Sequence, residues 1–171
     1  MTLRLRLLAA PAIGVAARPR RVNADVAGWP AVRGPGPECA LAASAAGLAD
    51  PPVDAELCDW DLGRWTGLDL DVLAAQEPQL VSAWLDDETF DGHGGESLAV
   101  LIERTRGWLD STAARHSGRL LAVAPVAVAR AAVCVTAGTA PQAFWRMDVE
   151  PLAVVEVTVR GDRRALRWSA S

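Results

Sequence analysis

The chain has 171 residues, 51% apolar and 22% charged, with a formal net charge of −4. One domain of this length buries roughly two-thirds of the surface that its unfolded chain exposes, so a real core is available. A single domain over residues 1–171 is expected, and the acidic balance argues against a nucleic-acid partner, which favours a basic face.

Leu3, Leu5 and Leu7 alternate with Arg4 and Arg6, the period of a half-buried strand, so residues 3–9 read as β. The same two arginines precede an apolar run over residues 7–17, a passable secretory-signal pattern; the strand is the favoured reading. Residues 10–35 carry Pro11, Pro19, Gly28, Pro30, Gly34 and Pro35 and read as loop, with room for a short strand at 31–33. Residues 38–48 are Ala-rich and read as a helix stopped by Asp50, Pro51 and Pro52; residues 53–57 read as another strand. Two short helices follow at 69–76 and 78–86, the second opening with Pro78 in the first turn, where a missing N–H costs nothing.

The clearest element spans 97–116. Leu98, Leu101, Ile102, Thr105, Trp108, Leu109 and Thr112 fall at three- and four-residue spacings behind Ser97, a good N-cap. A buried strand at 119–124 lies between Gly118 and Pro125, and a helix is expected over 126–137. Residues 152–160 and 165–168 flank Gly161 and Asp162 as a closing hairpin. Strands alternating with helices imply an α/β fold with a mainly parallel sheet.

Three segments carry a family resemblance. Leu57, Asp59, Asp61, Gly63, Trp65 and Gly67 follow the spacing L-x-E-x-D-x-G-x-W-x-G; His93, Gly94, Gly95, Glu96 and Ser97 open the long helix; and the run from Leu120 to Ala132, with Arg130 in it, is followed by Ala143 to Pro151. In these the chain resembles the histidine phosphatase (phosphoglycerate mutase-like) superfamily. The resemblance implies a three-layer α/β/α sandwich whose strand ends hold two Arg and two His around a phosphate. In this sequence the usual "R-H-G" falls on Ala9 and Ala10, the second Arg falls on Glu38, and the second His falls on Pro125. The acid of the family pattern falls on Asp59, one methylene shorter.

A phosphomonoester brings about two negative charges, whose desolvation is costly without paired cations. Losing a nucleophile or its base alone can cost on the order of 10⁶ in turnover where the residues act as a unit. No efficient phosphohistidine chemistry is therefore expected, and no residue is assigned a catalytic role. Asp59, His93 and Glu96 remain as residual candidates for a rebuilt hydrolase, against a reading of His93 as a solvated turn residue. The first expectation is a pseudo-phosphatase that binds a small molecule or a protein. The alternatives are a divergent phosphomonoester hydrolase using His93, Asp59 and Glu96, and a structural or oligomeric protein with a filled pocket.

Cys39, Cys58 and Cys134 form no C-x-x-C pair, so neither a disulfide framework nor a metal site is indicated, and a reduced, cytoplasmic setting is the simplest. No cofactor is expected. No apolar run approaches the roughly 20 residues of a membrane span, so no membrane partner is expected, and a homodimer stays open. Of seven Trp, most fall in segments expected to pack, each indole N–H bonded to a neighbour. Trp29, between Gly28 and Pro30, is the best candidate for an exposed partner contact. His116 reads as a structural residue at a helix end.

Overall fold

The computed structural model describes residues 2–11 and 28–168. Its five-stranded sheet has the order β2-β3-β1-β4-β5. β1 (Thr2–Ala10) runs parallel to β3 (Gly118–Pro125), which runs parallel to β2 (Ala31–Arg33). β4 (Val154–Arg160) is antiparallel to β1, and β5 (Arg163–Trp168) is antiparallel to β4. The α/β architecture stands, but the sheet is mixed, because the closing hairpin adds two antiparallel strands to three parallel ones. Residues 12–17 of the apolar run weighed as a signal lie outside the described residues.

The alternation in β1 sorts the core into two layers. Leu3, Leu5, Leu7 and Ala9 face α4 (Leu98–Arg115) and α5 (Val126–Ala137) in the larger cluster. Leu8 and Ala10 face α1 (Pro37–Ala45) with Cys39, Ala42, Ala43, Leu121 and Val123 in a smaller one. Central strands buried on both faces explain the near-continuous apolar runs of β1 and β3. α4 begins where Ser97 Oγ accepts the Val100 N–H at 3.3 Å. α5 stops at Gly138, whose φ of +65° is the left-handed conformation that glycine adopts without strain.

The segment at 53–57 is not a strand. Val53 makes one isolated parallel bridge to Arg33, and Ala55–Leu57 turns as a 3₁₀ helix. Asp54 causes the turn, its side chain accepting the Glu56 N–H at 3.1 Å and diverting the backbone from a ladder. The two short helices form as α2 (Leu70–Gln76) and α3 (Pro78–Asp86). Among the described residues, no helix is long and apolar enough to cross a membrane.

Candidate functional site

The site is built first at the strand ends. Ala10 pairs with Pro125 and Ala9 with Ala124, so two neighbouring parallel strands end side by side. In an open α/β sheet, this carboxyl edge is where ligands bind. Ala9, Ala10 and Pro125 are all buried. The chain then closes in from β2. The Gly34 N–H donates to Val123 O at 2.9 Å, and a Cβ on Gly34 would lie 2.4 Å from Leu57 O.

Glu38 is in the first turn of α1 and only 5% exposed. Its carboxylate folds back over Gly36, where a Cβ would lie 1.9 Å from Glu38 Oε1. A helix N-terminus favours a negative charge, so Glu38 sits at the end of α1 that suits a carboxyl group. Beside it, the Cys39 thiol contacts Glu38 Oε1 at 3.8 Å. Burial pushes the Cys39 pKa up to about 12, with the charges of Glu38 and Asp59 adding to the effect. Asp59 marks the rim. The residue reaches solvent, yet the protein crowds its carboxyl enough to raise its pKa, and Glu38 raises it further. The Trp60 N–H, donated to Asp59 Oδ1 at 2.8 Å, and Arg104 pull the other way.

A second structure borders this one, where residues 59–67 interlock with 91–97. The Arg64 N–H donates to His93 O at 3.0 Å, and the Glu96 N–H donates to Asp61 O at 2.7 Å. Asp61 Oδ1 accepts the Gly63 N–H at 2.8 Å, tightening the turn. Gly63 has φ +52°, and a Cβ there would lie 2.3 Å from His93 O, so the approach needs glycine. Glu96 is clamped by Arg104, Nε to Oε1 at 2.8 Å and Nη2 to Oε2 at 3.0 Å. Arg104 also donates to the carbonyls of Glu56 and Cys58 at 2.9 and 3.3 Å, tying both loops to α4.

His93 is 1% exposed, so it is not a solvated turn residue. Its Nδ1 accepts the Gly95 N–H at 3.0 Å, and its ring packs on Trp65 and Phe90 with centroids 5.2 and 5.7 Å away. Desolvation lowers its pKa. The charges acting on His93 are those of Asp61, Arg64 and Asp91, whereas those acting on Asp59 are Glu38 and Arg104. Of the three residual candidates, Glu96 is committed to Arg104 and His93 to the loop core, and Asp59 faces the strand ends. Arg104 and Cys39 escaped the sequence reading. Their signals were an arginine among the buried helical positions of α4 and a thiol next to Glu38.

The tryptophans mostly pack as expected, with one difference. Trp60 Nε1 donates to Glu96 O and Trp108 Nε1 to Asp54 Oδ2, but the indole N–H groups of Trp65, Trp84 and Trp145 have no hydrogen-bond acceptor. Trp65 meets Trp84 at 88° and Trp84 meets Trp145 at 70°, edge to face, which places positive ring edges against π faces. Trp29 is half-buried, with the guanidinium groups of Arg6 and Arg119 at 4.7 and 5.5 Å from its ring centre. His116 caps the end of α4 and is exposed. Among the described residues, no group of three or more His, Cys, Asp or Glu side chains is placed to hold a metal.

The family model for the histidine phosphatase superfamily (branch 1) matches residues 38–170. The chain belongs to that superfamily. The match begins at Glu38, so β1 with Ala9 and Ala10 lies outside it. The bifunctional protein Rv2228c of Mycobacterium tuberculosis is 31% identical over 86 residues, covering 50% of this chain and 24% of that protein. Phosphoserine phosphatase 1 of Hydrogenobacter thermophilus is 29% identical over 87 residues, 50% of this chain and 41% of that enzyme. The chain thus spans less than half the length of these curated relatives. Among solved structures, Bacillus stearothermophilus YhfR superposes with a TM-score of 0.80 at 16% identity, over 96% of this chain and 95% of that one. At that identity the likeness shows the fold.

Proposed function

We propose that this chain is a catalytically inactive member of its superfamily, a single-domain cytoplasmic pseudo-phosphatase with a binding or regulatory role. The observation that carries this reading is the pair Ala10 and Pro125, side by side at the ends of β1 and β3, beside the buried carboxylate of Glu38. The superfamily pattern asks for imidazoles and a guanidinium at these positions. A methyl group and a pyrrolidine ring offer no lone pair to attack phosphorus and no proton for a leaving group. Glu38 brings the sign of charge that the substrate would bring, so a phosphoryl group meets repulsion where it needs a clamp.

Ala10, Glu38 and Pro125 are buried, which fits a filled pocket at these strand ends, so the proposed binding role falls to the exposed rim at Asp59. The geometry gives less support to a hydrolase rebuilt on His93, Asp59 and Glu96. A general base needs a nitrogen within reach of the proton it abstracts; His93 Nδ1 is bonded to the loop backbone, and Nε2, though without a partner, is buried away from solvent. The test is hydrolysis of an aryl phosphate across pH by the wild type and by His93→Ala. The expected outcome is no turnover above buffer in either. Turnover that disappears in His93→Ala would overturn the proposal and assign the chemistry to that loop.

A further inference from the structure

The other end of the sheet has the opposite character. On the face that α1 covers near Ala10, the strands run down to a lower half where Trp29 lies over Arg6 and Arg119. There Arg4 is opposite Arg119 on β3 and Thr158 on β4, and Thr158 is opposite Ala165 on β5. One row below, Thr2, Arg160 and Arg163 align. One row above, Arg6, Glu156 and Arg167 align. Cross-strand partners share a face, so six arginines and a single carboxylate occupy this part of the sheet in a chain of net charge −4.

The arrangement is concave. A hollow of about 480 Å³ at this edge is lined by Arg4, Thr158, Arg160, Arg163, Ala165 and Arg167 of this face, with Arg164 and Leu166 reaching it from the outer strand β5. That volume is in the range of small-molecule sites. Arg4, Arg160, Arg163 and Arg167 are exposed. Glu156 is engaged with Arg6 at 3.1 Å and with Arg167 at 4.0 Å, so it offers little to the rest. Like charges directly opposite on a sheet destabilise it, and here Arg4 faces Arg119 and Arg160 faces Arg163. An anion in the hollow would meet Arg4 of the first pair and both members of the second.

We propose that this hollow is a second ligand site, taking a compact oligophosphate across Arg4, Arg160, Arg163 and Arg167. Guanidinium groups recognise phosphate oxygens in two-point hydrogen bonds, and several around one hollow suit a ligand with two or more linked phosphates. The size of the hollow and the overall negative charge favour a small ligand over a nucleic-acid polymer. The site is about 20 Å along β1 from Ala10, six residues at roughly 3.3 Å each, and it stands or falls independently of the pseudo-phosphatase reading.

The test is calorimetric titration of the full chain with inorganic tripolyphosphate, ATP, orthophosphate and a short single-stranded oligonucleotide. Arg4→Ala/Arg163→Ala is compared with the charge-matched control Arg106→Ala/Arg115→Ala, both on α4. The expected result is binding of tripolyphosphate and ATP well above orthophosphate, weakened about tenfold or more in the first variant and unchanged in the control. Tighter binding of ATP than of tripolyphosphate would add a nucleoside contact, and equal binding would confine recognition to the phosphate chain; both support the site. No binding of either ligand to the wild type, equal weakening in the control, or binding of the oligonucleotide alone would overturn it. Matching urea midpoints of the two variants establish that a loss of binding is not a loss of fold.

Discussion

Two neighbouring regions of this protein treat the superfamily pattern in opposite ways. In the interlocked loops at 59–67 and 91–97, Asp61, Gly63, Trp65, Gly67 and Glu96 keep the pattern, and each that makes a described contact makes a scaffold one: a turn, a close approach, a buried ring or an ion pair. At the strand ends, the reading proposed above has Ala9, Ala10, Glu38 and Pro125 depart from it, at the positions where the resemblance places chemistry. The difference shows that a motif mixes two kinds of residue. Those that close loops are held by packing and hydrogen bonds whether or not a reaction takes place; those that would contact a substrate are held by that contact alone.

That contrast is broken most forcefully at Trp65. The ring is 2% exposed and contacts Trp84, Phe90 and His93. Trp65→Ala is expected to lower unfolding stability by about 3–5 kcal/mol, the usual cost of emptying a large aromatic site. Urea denaturation measures it, and a loss below about 1 kcal/mol would mean the loop pair is not structural in this sense. Next comes Glu96→Ala, which strips Arg104 of its bidentate partner while leaving the guanidinium among backbone carbonyls. Both side chains are mostly but not wholly buried, at 12% and 22% exposure, so about 2 kcal/mol is expected, less than for a fully buried pair. Glu96→Gln should recover part of that loss through the remaining hydrogen bonds.

How much of this was legible beforehand follows the same division. α4 and β3 were readable because period and boundary residues agree within each segment: Ser97 caps α4, and Gly118 and Pro125 bound β3. The strand expected at 53–57 failed because Asp54 bonds its own backbone, a contact that outcompetes a pairing only one bridge long. His93 looked solvated because it stands between glycines; those glycines instead let the loop fold tightly enough to seat its ring on Trp65. The strand-end positions were legible one by one, and the register Ala10 to Pro125 places two of them together. The arginine face was not legible at all. Arg4 and Arg6 show their period in sequence, but Arg119, Arg160, Arg163 and Arg167 join them only through cross-strand register.

A third measurement sharpens the contrast through acid sensitivity. The folded-state pKa of His93 is below its ordinary value, because burial disfavours the imidazolium. The unfolded chain therefore binds the proton more readily, and stability falls as pH drops through the unfolded value of about 6.5. His93→Gln, which keeps an acceptor for the Gly95 N–H, should flatten the pH dependence of the urea midpoint between neutral and mildly acidic pH. An unchanged slope would place the titrating group elsewhere.

The thiols give a sharper view of the strand ends. Cys39 is fully buried, and its pKa of about 12 keeps it protonated at neutral pH, whereas Cys58 is half-buried. The thiolate is the reactive form, so an alkylating reagent should label Cys58 of the native protein well before Cys39, as peptide mass mapping would show. Rapid labelling of Cys39 would indicate that the filled site opens in solution.

The smallest effect is expected at Asp59, where the two regions meet. Its folded-state pKa is raised, chiefly by desolvation, with Glu38 adding to the rise. The native state therefore holds this proton more tightly than the unfolded chain does. Stability from this group is complete below the unfolded value near 3.9 and declines as pH rises through the folded value, so its ionisation costs stability. Asp59→Asn removes that charge and keeps an oxygen to accept the Trp60 N–H. Because the residue reaches solvent, screening limits the gain to a few tenths of a kcal/mol at pH 7, with no gain at pH 3, where the native carboxyl is already neutral. Retaining an acid whose removal stabilises the fold is what a ligand-contacting group does. A destabilising Asp59→Asn would instead put this acid with the scaffold residues of its own loop.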